Sequence, residues 1–161
     1  MPNATMTSDR PGGEPLETVL RPSHDAWIEE TRRFLTPALD SEADFWTRWS
    51  AVRYISDDFR EQFRLERALV AALRPLLREE VANRLMHEGE RVVLLRLELD
   101  RIGRRRGTSA EFAAGADRLL EQMGVWCAEI ELAARGITRE ALPAEGAAYL
   151  AHLEAVLRTR R

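Results

Sequence analysis

The spacing of apolar residues predicts a long helix in the first half of the chain. Between residues 41 and 78, apolar side chains recur at alternating steps of four and three, which is the spacing of one face of an α-helix. These positions are Phe45, Trp49, Val52, Ser56, Phe59, Phe63, Glu66, Val70, Leu73 and Leu77, of which only two are polar. Ser41 is the expected N-cap of this helix, and Pro75 is expected to bend its last turn or end it early.

The same spacing predicts helices on both sides of this one. The preceding helix is expected to begin at residue 22, with Ser23 as its N-cap, and to end near Pro37. The following helix is expected over about residues 79–102, with Gly103 as its C-terminal stop.

A fourth principal helix is predicted by Thr108 and Glu111, which have the spacing of a capping box. Gly136 is expected to stop it, and a short helix over about residues 144–157 follows Pro143. No segment alternates with the period of two that is typical of strands. The pattern therefore predicts an all-α protein, an antiparallel up-and-down four-helix bundle with a short extra C-terminal helix.

The length of 161 residues suits a single domain, which we expect to span residues 22–161. Residues 1–21 contain Pro, Gly, Ser and Thr without an apolar run, so we expect a flexible, disordered tail and not a signal peptide.

No apolar stretch is long enough to predict a membrane span. A single cysteine, Cys127, cannot form an internal disulfide, and we therefore expect a cytoplasmic protein.

Composition narrows the classes of partner. The net charge of -3 and the pI near 5.7 argue against nucleic acid or an anionic membrane as the main partner. All 24 basic residues are Arg, which is typical of proteins encoded by GC-rich bacterial genomes.

Two carboxylates interrupt otherwise apolar helix faces. Glu66 and Glu88 each occupy a position where the periodicity predicts a buried side chain. A buried carboxylate needs a partner, and three arrangements remain open. The carboxylates pair with nearby arginines, the helix face drifts so that they reach solvent, or they line a metal or ligand site. The nearby arginines are Arg64, Arg67, Arg84 and Arg91.

Several stretches resemble the hemerythrin-like (HHE cation-binding) family. They are His24-Asp25, residues 62–66 (QFRLE), residues 84–90 (RLMHEGE) and residues 129–142. The resemblance implies a four-helix bundle in which inward histidines and carboxylates hold two irons, often for oxygen binding or sensing.

The chain departs from that pattern at most of the expected histidines. Gln62 stands four residues before Glu66 where the resemblance implies a histidine, and Gly89 follows Glu88 where another is implied. The fourth helix has no histidine near residue 125 or 127, and His87 lies about 200° around its helix from the implied position. We therefore interpret the chain as a degenerate member that has lost its di-iron site and binds or regulates an unknown target without being an enzyme.

Two alternatives remain open. One is a metal- or small-ligand-binding protein with a reduced site around Glu66 and Glu88, where residual iron, manganese or zinc would be held by His24, Glu66 and Glu88. The other is a helical protein-interaction adaptor. In each case the partner is an unknown protein, a small ligand or a second copy of the chain in a homodimer.

Further side chains complete the predicted centre of the bundle. We expect its interior polar residues to be Gln62, Glu66 and Glu88. At the position of the lost metal, two arrangements remain open: large side chains such as Trp126 fill the space, or an apolar ligand pocket lies there, lined by Phe59, Phe63 and Trp126.

Overall fold

The computed structural model describes residues 14–105 and 108–159, without the side chains of residues 156, 157 and 159. It has five α-helices and no β-strand within these residues, which confirms the all-α prediction. The helices are α1 (Leu16–Leu35), α2 (Phe45–Leu73), α3 (Glu79–Arg104), α4 (Ser109–Ala133) and α5 (Ala144–Thr159). Most of the expected tail, residues 1–13, lies outside the described residues.

Helix α1 begins seven residues before the predicted N-cap. Pro22 lies inside the helix, and the side chain of Ser23 is buried and caps nothing. An internal proline costs about 3 kcal/mol, but the turns before it bury Leu16, Val19 and Leu20 in the core. Burial of three aliphatic side chains outweighs that cost. The predicted boundary at residue 22 is therefore wrong, and residues 16–21 belong to the helical part of the chain.

The ends of α2 differ in detail from the prediction. The N-cap is Asp44 instead of Ser41, and its carboxylate accepts a hydrogen bond from the Thr47 N–H at 2.8 Å. The helix ends at Leu73 and is followed by a 3-10 turn that contains Pro75. The expected effect of Pro75 is confirmed.

Gly103 does not stop α3, which continues to Arg104. A methyl group at Gly103 would overlap the Val52 side chain, so the absence of a side chain at residue 103 allows α3 to approach α2 closely.

The capping box of α4 is confirmed, because Thr108 and Glu111 each accept a hydrogen bond from the other's backbone N–H. Gly136 has a φ of 82° and lies in the turn after α4.

The first four helices contact each other in cyclic order, α1 with α2, α2 with α3, α3 with α4, and α4 with α1. Helix α5 packs against α1 and α2. The backbone N–H of Leu16 also donates to the Ile137 carbonyl at 3.1 Å, which ties the start of α1 to the connection after α4. Within the described residues, no helix has the length and apolar character needed to cross a membrane.

We predict that Gly103→Ala destabilises the protein although alanine is the better helix former. The new methyl group meets Val52, and overpacking of this kind costs about 1–3 kcal/mol. Gly124→Ala is the matched control, because a methyl group there has no neighbour within 4 Å and helix propensity alone stabilises by up to about 1 kcal/mol. Urea unfolding followed by circular dichroism measures both, and equal stabilities of the two variants would contradict the packing argument.

Candidate functional site

The imidazole of His24 lies between two carboxylates in the interior of the protein. Its Nε2 is 2.9 Å from Oε2 of Glu66, and its Nδ1 is 2.9 Å from Oε2 of Glu131. Only 1% of His24 and none of Glu66 is exposed. Because the three residues come from α1, α2 and α4, this contact joins three helices. We refer to His24, Glu66 and Glu131 as the histidine–carboxylate triad.

The two carboxylates favour the protonated imidazole. Burial alone would lower the pKa of His24, but the charges of Glu66 and Glu131 and their hydrogen bonds outweigh burial and raise it to about 10. The hydrogen bond from His24 in turn lowers the pKa of Glu131, and Arg21 adds to this effect. At neutral pH the triad therefore contains an imidazolium that donates from both ring nitrogens.

Hydrogen bonds extend the triad in both directions. Gln62 donates from Nε2 to Oε1 of Glu66 at 3.0 Å, so the two residues bond across one helical turn. At the other end, Nε of the exposed Arg21 donates to Oε1 of Glu131 at 3.2 Å. Thus Glu66 is buried and paired, as its position predicts, but its cationic partner is His24 and not a neighbouring arginine.

Glu88 is not brought to the triad. Its carboxylate accepts a hydrogen bond from Gln122 of α4, and the Arg91 guanidinium is 4.0 Å away. Its side chain is 16% exposed, whereas the adjacent Gly89 is buried. At this turn of α3 the inward position is therefore Gly89, one residue after the predicted one, and Glu88 lies at the edge of the interior.

In this arrangement the three candidate metal ligands are engaged with other protein groups. Both ring nitrogens of His24 bond to carboxylates, both oxygens of Glu66 accept hydrogen bonds, and Glu88 bonds elsewhere. Across residues 14–105 and 108–159, no three His, Cys, Asp or Glu side chains form a group that could hold a metal.

A buried indole packs between α1, α2 and α3. Trp126 of α4 is buried, its ring packs against Phe63 and Trp27, and its Nε1 donates to the Leu85 carbonyl at 2.8 Å. A Cβ atom at Gly89 would lie 2.9 Å from this ring. The glycine where the resemblance implies a histidine is therefore the residue that admits the indole.

A cavity of about 630 Å³ lies between α2 and α3 and reaches Trp126. Phe63 and Trp126 line it, whereas Phe59 packs against Trp27 in the core and does not. Its charged lining residues are Arg67, Arg74 and Glu90. The remaining lining residues are Val70, Ala71, Ala82, Leu85, Met86, Gly89, Val93 and Leu94.

Two other reactive groups have ordinary structural roles. Cys127 is buried, and burial, followed by the nearby carboxylates, raises the pKa of its thiol well above the usual value. It packs as a small apolar core residue, in an environment that disfavours the thiolate needed in a nucleophile. His87 is exposed on α3.

Sequence reasoning missed Glu131 and Gln122 as partners of the two candidate carboxylates. Both lie on α4, outside the four-and-three spacing of its apolar residues, so the pattern contains no signal for them. Those apolar residues are Phe112, Ala116, Leu119, Met123, Trp126, Ile130 and Ala133.

No protein-family model, curated protein or solved structure matches this chain. The functional argument therefore depends on the geometry of the triad and of the cavity.

We predict that stability falls as pH rises above neutrality. The pKa of His24 is about 10 when folded and near 6.5 when unfolded, so its contribution is complete below pH 6.5 and is lost as pH approaches 10. Between pH 7 and 8 the free energy of unfolding should fall by up to about 1.4 kcal/mol per pH unit. Unfolding in urea at pH 6.5–8.0 measures this slope before ionisation of the unfolded Cys127 contributes.

The control for this slope is the double variant His24→Gln/Glu66→Gln, which removes both charges of the buried pair together. Its stability should be nearly independent of pH over the same range. A slope equal to that of the unmodified protein would show that His24 is not the titrating group.

Proposed function

We propose that this chain is a non-enzymatic, metal-independent binding protein built on a hemerythrin-like four-helix bundle. In this proposal α1 to α4 form the bundle and α5 is the extra C-terminal helix. The cyclic contacts of the first four helices support this arrangement, as do the resembling stretches around His24, Glu66 and Glu88.

The observation that carries the proposal is the pairing of His24 with Glu66 and Glu131. Metal binding requires a neutral imidazole with a free lone pair, whereas an imidazolium donates from both nitrogens and has none. The positive charge that a buried Glu66 needs is supplied by His24 itself. A bundle of this kind keeps its central carboxylate without a bound cation.

The separation of the triad from the cavity favours binding over catalysis. His24, Glu66 and Cys127 are buried, and none of them lines the cavity between α2 and α3. A general base or nucleophile has to reach its substrate, and these groups face other protein side chains. The cavity instead offers apolar surface with two guanidinium groups and one carboxylate, a composition suited to holding a ligand.

The cytoplasmic location, the adaptor alternative and the homodimer stay predictions from the sequence. A small ligand is favoured among the partners, because the cavity reaches inward to Trp126 on a third helix.

Metal analysis of protein purified without chelator tests the proposal. We expect iron, manganese and zinc well below one ion per chain, and no increase after incubation with each metal and desalting. Stoichiometric metal that is lost in Glu66→Gln would overturn metal independence.

The same variant tests the structural role of the pair. Removing one partner of a buried ion pair costs about 3–5 kcal/mol, so Glu66→Gln should be strongly destabilised. Glu61→Gln is the control, because Glu61 is on the same helix and pairs with Arg64 at the exposed surface. It should unfold at nearly the same urea concentration as the unmodified protein.

A further inference from the structure

We infer that the cavity between α2 and α3 binds a small amphipathic anion, a carboxylate that carries an aliphatic or aromatic tail. The anionic group would lie between Arg67 and Arg74, and the tail would lie against the exposed side chains of Met86 and Leu94, with its end directed towards Trp126. This inference rests on the proposed binding function and adds the chemical class of the ligand.

The apolar part of the cavity suits such a tail. Its volume of about 630 Å³ falls within the range of about 300–1,000 Å³ that is usual for small-molecule sites. Three helices contribute walls, and the hydrogen bond from Trp126 to Leu85 fixes the indole in place. Gly89 contributes no side chain, so the backbone of α3 packs directly against the indole, which forms the inner end of the cavity.

The edge of the cavity remains apolar towards solvent. Met86 is 44% exposed and Leu94 is 64% exposed, and both lie on α3 beside the opening. A bound tail would cover part of this surface, and removing apolar area from water contributes roughly 25 cal/mol per Å² before the costs of binding.

The charged residues determine the sign of the ligand. The charged groups that line the cavity are two guanidinium groups, from Arg67 and Arg74, and one carboxylate, from Glu90. Within the described residues, neither Arg67 nor Arg74 forms an ion pair. By contrast, Arg64 on the same helix pairs with Glu61 at 2.9 Å.

The spacing of the two arginines allows joint action. Arg67 lies on α2, and Arg74 is the C-cap that follows its last residue. They are seven residues apart, about 10 Å at 1.5 Å per residue, so their long side chains can approach one anion from two directions. A guanidinium also matches a carboxylate in a paired, two-bond geometry. The cavity therefore has cationic groups on and just after α2, and exposed apolar surface on α3.

Titration calorimetry with dodecanoate, below its micelle concentration, tests the inference. We expect one dodecanoate per chain, with dodecanol and dodecyltrimethylammonium binding at least tenfold more weakly. Amide and indole NMR provides the location, because binding should shift the Trp126 Nε1–H signal, assigned by its loss in Trp126→Phe. Equal binding of all three probes, or no binding of dodecanoate, would overturn the inference.

Substitutions of the two arginines test the role of charge. Arg67→Gln and Arg74→Gln should each weaken dodecanoate binding about tenfold, the effect of losing one charge-assisted hydrogen bond. Arg64→Gln makes the same charge change outside this cavity and should bind normally. Unchanged affinity in both cavity variants would show that no anion is held there.

A steric variant tests the location independently of charge. Ala71 is exposed and lines the cavity, so Ala71→Trp should block the tail without disturbing the core. Ala114→Trp, at an exposed position on α4, is the control and should retain binding. If Ala71→Trp instead dissociates a dimer in analytical ultracentrifugation, the face accommodates a second copy of the chain and the inference is wrong.

Failure of this inference is distinguishable from failure of the proposed function. If the protein is metal-free and does not bind dodecanoate, only the inferred class of ligand is wrong. Stoichiometric metal that depends on Glu66 removes the proposed function, whatever the result with dodecanoate.

Discussion

The charge of Glu66 is the constraint on which the centre of this protein depends. A carboxylate with no exposure to water is unfavourable unless a cation and hydrogen-bond donors surround it. His24 supplies the cation, and Gln62 supplies the remaining donor. Because His24 also bonds to Glu131, the requirement of one side chain on α2 sets the positions of α1 and α4. Apolar packing is not directional, so it fixes the position of one helix along another only loosely. The two hydrogen bonds to the His24 ring are directional and fix the relative positions of α1, α2 and α4.

Helical periodicity was sufficient to predict most of the fold. The long apolar faces of α2, α3 and α4 and the capping pair Thr108/Glu111 have purely local causes, so the sequence predicts them well. The start of α1 was missed, because Pro22 and Ser23 are typical start signals. Burial of Leu16 and Leu20 against distant residues decides that boundary instead, and no local pattern reports such contacts.

The candidate site was predictable only in part, for a similar reason. His24 and Glu66 are identifiable by residue type and by position on their helices. Glu131 is 107 residues from His24, and only the packing of α4 against α1 brings its carboxylate to the ring. At Glu88 the difference is a single residue, but one residue rotates a side chain by about 100° around the helix axis. That rotation replaces a carboxylate with Gly89 on the inward face of α3.

The contact between Gly89 and Trp126 also constrains how this sequence can change over time. A side chain at 89 and an indole at 126 compete for one volume, so the indole is acceptable only with glycine at 89. A histidine at 89 would conflict sterically with the indole of this chain. Any larger residue at 89 therefore requires a smaller residue at 126 as well. Trp126 in this way restricts position 89 to the one amino acid that has no side chain.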